Sequence, residues 1–273
     1  MTTVSRRRFL QVVGALGATG LFSASVADAQ VTPELPLAPT YPVPTLPNPP
    51  AQPEGAAYLF FTPPEVAFVE SAVSRLVPAT MSGPGAAEAG VPRVIDRQLE
   101  GAFGLAAKWY TQGPWGEGAP EQGYQLPLNP QALYRVGVAA LDLHCEETYG
   151  AVFASLRSAQ QDAVLQGLEG GDLSVAGVPP GILSAFFELL LQNTQEGFFA
   201  DPAYGGNRDK AGWRLVGHPG VSSNYADAIE TFYNRPYRVE PVSIADVQTG
   251  RAQLDYNGYA LHPGKPVRRK VSS

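Results

Sequence analysis

The sequence is poor in the side chains on which most enzymes rely. Its 273 residues include one cysteine, Cys145, and three histidines, His144, His218 and His262. A single cysteine excludes an internal disulfide, and so few histidines leave little material for catalytic or metal sites. Charged residues make up only 16% of the chain, and Asp and Glu outnumber Lys and Arg by 25 to 19, for a formal net charge of −6. A surface of that sign does not neutralise phosphates, which argues against nucleic acid as a partner. No Walker loop, G-x-G-x-x-G, G-x-S-x-G or C-x-x-C occurs, so the residues give no reason to expect nucleotide or flavin binding by this chain. With 44% hydrophobic residues, wholesale disorder is excluded too.

What the chain does have is punctuation. Its 29 glycines and 26 prolines are a fifth of all residues, against about one eighth on average, and long regular elements cannot fill it. At the N-terminus, Ser5-Arg6-Arg7-Arg8-Phe9-Leu10 precedes a weakly apolar stretch broken by Gly14, Gly17 and Gly20, then Ala27-Asp28-Ala29. The pattern resembles a twin-arginine export signal with Arg6 and Arg7 as the pair and Ala27 and Ala29 flanking the cut. Cleavage after Ala29 lowers the formal charge from −6 to −8. Because the twin-arginine translocase carries folded cargo, something that travels with this chain is expected to need assembly in the cytoplasm.

Residues 30–57 carry nine prolines and no basic residue. Such a stretch favours polyproline II and cannot build a helix. It reads either as a disordered leader or as an extended arm laid along a partner through Leu35, Leu37, Tyr41, Val43 and Leu46.

The folded body is expected over 58–234. Thr62-Pro63-Pro64-Glu65 is a capping box that opens a helix ended by Pro78. Further helices are expected over 92–110, 130–149, from a Ser158 cap, and over 180–199, the last apolar nearly all round and hence central. A loop covers 111–127, one turn falls near 225–233, and 235–273 is expected to be an irregular tail. No alternating run supports a sheet. The fold class is all-α, a single irregular helical domain with long Gly/Pro-rich loops.

Two groups of residues invite a chemical reading. His144 and Cys145 lie on the apolar stripe of their helix but diverge by about 100°, so proton transfer between them is disfavoured. Cys145 is then either an inert core thiol or, in an exported protein, one half of an intersubunit disulfide. The second group runs from Gly197-Phe198-Phe199-Ala200-Asp201-Pro202-Ala203 through Tyr204, Gly205, Gly206, Asn207 and Arg208 to Trp213, and on to Gly217, His218, Pro219 and Gly220. Tyr, Arg and Trp dominate interface hot spots, so an interface platform is expected. A loop packed on its own aromatics is the alternative.

That run, with the Phe61-Thr62-Pro63-Pro64-Glu65 helix start, resembles the gluconate 2-dehydrogenase subunit 3 family over residues 58–225. The resemblance implies a non-catalytic small subunit of a periplasmic, membrane-associated dehydrogenase acting on sugars or sugar acids. It implies a large partner similar to glucose-methanol-choline oxidoreductases that holds FAD and the active site. It also implies a multihaem cytochrome c subunit, no cofactor in this chain, and export of the large subunit on this chain's signal. A transient export chaperone and a stand-alone periplasmic enzyme are the competing readings.

Overall fold

In a computed structural model of the chain, the described residues are 57–261, apart from 110–112, 114, 117–118, 120–121, 123, 180, 222–225, 236, 238 and 255–259. The signal residues Arg6, Arg7, Ala27 and Ala29, the Pro-rich stretch up to residue 56, and residues 262–273 lie outside them.

Local start and stop signals set most of the helices. The N–H and hydroxyl of Thr62 both donate to the Glu65 carboxylate, at 2.8 and 2.7 Å, and α1 runs Pro63–Leu76 with Pro at its first position. Helix α3, Pro130–Tyr149, is opened by Asn129, whose side chain accepts from the Ala132 N–H at 2.8 Å, and closed by left-handed Gly150. Both ends follow the asymmetry of polar caps before a helix and glycine after it. Helix α4, Ser158–Glu169, begins one residue earlier than a Ser158 cap requires. Arg157 is its cap residue, and its N–H donates to the Gln160 side chain at 3.1 Å.

Helix α2 is shorter than expected, Val91–Glu100 in place of 92–110. Gly101 leaves the helix in an extended conformation, and turns fill the chain to Lys108. Gly101 and Gly104 each disfavour continued helix by about 1 kcal/mol relative to Ala, more than the apolar spacing across Phe103 recovers.

Helix α5, Ile182–Phe199, is the hub of the body and packs on α1, α2, α3 and α4. Its Phe186 meets Tyr134 of α3 edge-on at 5.3 Å, and Phe68 of α1 lies 4.7 Å from Phe153. All four rings are buried, and each of the three phenylalanines contributes roughly 1.5–3 kcal/mol of transfer free energy. Gly137 makes the α3–α5 contact possible, because a Cβ there would overlap the Phe186 ring. A bidentate pair between Arg75 of α1 and Asp162 of α4, at 2.7 Å, ties the outer edges of those helices together.

The remaining described elements are short: α6 (Ala211–Val216), α7 (Ala226–Thr231), α8 (Ile244–Gln248) and a two-residue antiparallel ladder of β1 (Gln253–Leu254) with β2 (Ala260–Leu261). The described body is all-α, as the periodicity predicts. The segment expected to be an irregular tail contains a capped helix, α8. Ser243 accepts from the Asp246 N–H at 3.1 Å, and its own N–H donates back to the Asp246 carboxylate at 2.9 Å.

Candidate subunit interface

The glycine-rich run begins where α5 ends. Ala200 leaves the helix extended, and Asp201 turns the chain by accepting from the Ala203 N–H at 2.8 Å. A single helical turn, Pro202–Tyr204, follows. Arg97 of α2 donates to the Tyr204 carbonyl at 2.9 Å, which docks the turn on the body.

Asn207 closes the loop. Its side chain, wholly buried, donates to the Ala200 carbonyl and accepts from the Gly212 N–H, both at 2.8 Å. One carboxamide therefore bridges the two ends of the loop between α5 and α6. Asn207, Asp209 and Lys210 all have left-handed backbones, with φ of 46°, 54° and 58°, a conformation that costs a non-glycine residue about 1–2 kcal/mol. The Asn207 bonds offset that strain from one side, and Lys210 does so from the other. Its ammonium donates to the Pro241 carbonyl and to Asp246, each at 2.8 Å.

On the far side, Gly212 lies flat against the last turn of α5. A Cβ there would overlap the Phe198 carbonyl oxygen. That close approach lets the next residue, Trp213, turn inward, where it is only 5% exposed and its indole N–H donates to the Phe199 carbonyl at 2.7 Å. His218 stacks edge-on against the Trp213 ring at 5.1 Å.

The tail completes the clasp. Val242 donates to the Pro219 carbonyl at 3.1 Å and accepts from the Val221 N–H at 2.7 Å, while the Ile244 N–H donates to Asp201 at 2.8 Å. Burial alone would raise the carboxyl of Asp246, but the Lys210 ammonium and the Ser243 donors outweigh it and hold the group below the usual carboxylate range.

The residues expected at an interface thus divide. Gly206, Asn207, Trp213 and Gly220 are buried inside the clasp, the placement that the self-packed alternative expects. Gly205 and Pro219 are half-buried, and Gly217 is the exposed end of α6. Tyr204, 60% exposed, and Arg208 face outward. Arg208 stands at the lip of a cleft of about 300 Å³ shared with Tyr58, Glu70, Glu88, Gly90 and Arg93. Phe199, Leu215 and Val216 add exposed apolar surface beside them in sequence.

Cys145 is fully buried in the core of its own chain, and burial, with Asp142 adding to it, pushes its thiol up to about 12. The sulfur lies within the core of its own chain, the placement of an inert core thiol, one of the two readings expected of it. His144 beside it is half-buried, and Glu146 and Glu147 are exposed at the helix end.

One important residue gives no sign in the sequence. Asp96 of α2, 2% exposed, accepts from the backbone N–H groups of Leu59, Phe60 and Phe61 at 2.7, 2.9 and 2.9 Å. Both buried carboxylates among the described residues, Asp96 and Asp201, are thus engaged by backbone donors. Among the same residues no group of three or more His, Cys, Asp and Glu is placed to hold a metal ion, and no helix is long and apolar enough to cross a membrane.

Asp96, Asp201 and Asn207 spend their buried polar atoms on backbone, and the clasp at the end of the central helix completes an all-α domain that leaves Tyr204 and Arg208 exposed. A family model described as gluconate 2-dehydrogenase subunit 3 matches residues 63–220, and the chain belongs to that family. The match spans α1 to the Gly220 turn and so includes the whole clasp except its tail. No curated protein and no solved structure matches the chain.

Proposed function

We propose that this chain is a non-catalytic accessory subunit of a flavin-dependent sugar or sugar-acid dehydrogenase. It binds the large catalytic subunit in the cytoplasm, supports its maturation, and takes it through the twin-arginine translocase to the periplasm on its own signal. The observation that carries this reading is the family match across the helical body. Membership makes the chain one subunit of a dehydrogenase and implies other subunits.

Three further observations support the finer reading. The first is the Ser5-Arg6-Arg7-Arg8-Phe9-Leu10 signal ahead of that body. The second is the use of the buried acids: Asp96 and Asp201 hold backbone, an occupation that suits a scaffold. The third is the outward pair Tyr204 and Arg208 on a rigid clasp, the residue types and the preorganisation that favour binding. FAD then belongs to a large subunit similar to glucose-methanol-choline oxidoreductases, and haem c to a cytochrome subunit through which the complex associates with the membrane.

Purification of the tagged chain with its co-expressed neighbours tests the proposal. A flavin spectrum and sugar or sugar-acid oxidation in a co-purified larger protein, and neither in this chain alone, is the expected result. Oxidation by the isolated chain would overturn it.

A further inference from the structure

The loop that carries Tyr204 and Arg208 runs from Asp201 to Lys210, and the tail reaches both of its ends. Asp201 divides its carboxylate. One oxygen accepts from the Ala203 N–H inside the loop and the other from the Ile244 N–H of the tail, each at 2.8 Å. At the other end, the Lys210 ammonium donates to the Pro241 carbonyl and to the Asp246 carboxylate, also at 2.8 Å. The middle of the loop is held by the body instead: Arg97 donates to the Tyr204 carbonyl at 2.9 Å, and the Ala89 carbonyl accepts from the Arg208 N–H at 3.1 Å. Residues 240–248 thus form a strap across the two ends of the loop.

One of those ends does not keep its shape unaided. Asp209 and Lys210 are left-handed, at φ of 54° and 58°, and such conformations persist where the surrounding structure over-determines them. For Lys210 that surrounding structure is the strap. The strap itself is lightly attached. Of residues 240–248 only Pro241, Val242 and Ser243 are buried, and its backbone pairs with the clasp through Val242, which donates to the Pro219 carbonyl and accepts from the Val221 N–H. Segments with few buried apolar contacts open at lower free energy than the core, so the strap can release while α5 stays folded.

We propose that the strap is a positioning device for subunit binding. Docked, it sets the Asp201–Lys210 loop in the shape that presents Tyr204 and Arg208; released, it lets the loop relax and weakens the hold on the partner. The inference rests on the accessory-subunit reading above. It makes Asp201, Lys210 and Ile244 positioning residues, which act through the loop without touching the large subunit. Such coupling is reciprocal, so a bound partner holds the strap down in turn.

A single backbone N–H tests the device. Ile244 is the first residue of α8, a position that accepts proline, and Ser243 before it is already extended, at φ −96° and ψ 163°. Ile244→Pro therefore removes the donor to Asp201 and leaves α8 intact, whereas Ile244→Ala trims the side chain and keeps the donor. Affinity of the full chain for the flavoprotein that co-purifies with it is expected to be roughly tenfold weaker with Ile244→Pro than with Ile244→Ala. In a chain that already carries Tyr204→Ala and Arg208→Ala, the proline is expected to add no further loss, because the strap acts through those two side chains. Without a partner, Ile244→Pro should speed hydrogen exchange at the Ala203 amide and leave the α5 amides protected.

Equal affinity of the proline and alanine variants would overturn the inference. So would the same loss on the Tyr204→Ala, Arg208→Ala background, by making the strap a contact surface in its own right. Failure of the accessory-subunit reading shows separately, as an unaltered chain that binds no flavoprotein. Exchange at Ala203, measured on the chain alone, then still decides whether the strap sets the loop.

Discussion

The indole N–H of Trp213 donates to the carbonyl of Phe199 at 2.7 Å, so a residue type common at interfaces is here the pin between α6 and the end of the central helix. Removing it opens a cavity under the clasp. Trp213→Ala is expected to cost about 3–5 kcal/mol, which lowers the melting temperature of the isolated chain by on the order of 10 °C. Trp213→Phe keeps most of the ring and orphans the Phe199 carbonyl, for a smaller loss of about 1–3 kcal/mol. An unchanged melt with lost partner binding would return Trp213 to the interface.

Tyr204 and Arg208 should behave in the opposite way. Both face outward from a loop whose shape is set by Asn207 and Arg97. Alanine at either position is expected to weaken assembly with the large subunit by about 2 kcal/mol, roughly 30-fold in Kd, and to leave the melt of the isolated chain within a degree or two. Titration of purified chain against the large subunit measures the first, and calorimetry the second. A large fall in melting temperature with intact assembly would assign both side chains to the fold.

Much of the helical body is legible in the sequence because its signals are local. Thr62 with Glu65, Asn129 with Ala132, and Gly150 act within three or four residues, and the helix bounds they set agree with the expected ones. The extension of α2 to residue 110 fails for a related reason: Gly101 and Gly104 end the helix despite the apolar spacing that continues through Phe103. What the sequence does not reveal is long-range. Asp96 reads as a solvated charge until its donors, 35 to 37 residues upstream, are brought to it. The tail looks irregular because its partners, Lys210 and Asp201, are 31 to 43 residues away. Burial of Trp213 and Cys145 likewise depends on what packs over them, which a helical wheel does not contain.

Acid should loosen the tail before the body. The Asp246 carboxyl is depressed in the folded chain, so its pairing with Lys210 stabilises the clasp above the unfolded carboxylate value of about 4. That contribution is lost as pH falls through the lower folded value. Protection factors for the Val221 and Val242 amides, which pair tail with clasp, are expected to drop in this range while those of α5 persist. Lys210→Met should weaken the pH dependence, because only the Ser243 donors then hold the carboxyl down, and equal loss of protection in α5 would contradict the assignment.

Cys145 should be silent in the folded chain. With its sulfur buried and its thiol raised to about 12, alkylation at neutral pH is expected only after denaturation. Non-reducing electrophoresis of the assembled dehydrogenase should show this chain migrating free. A covalent heterodimer that collapses with reductant would mean that the helix opens on assembly.

The central claim, that this subunit and a catalytic flavoprotein leave the cytoplasm together on one signal, is tested most directly by fractionation. In cells carrying Arg6→Lys with Arg7→Lys, dehydrogenase activity and both polypeptides are followed in cytoplasm and periplasm. Both proteins are expected to stay in the cytoplasm, still bound to each other, with periplasmic activity lost. Normal periplasmic activity while this chain is retained inside would contradict it.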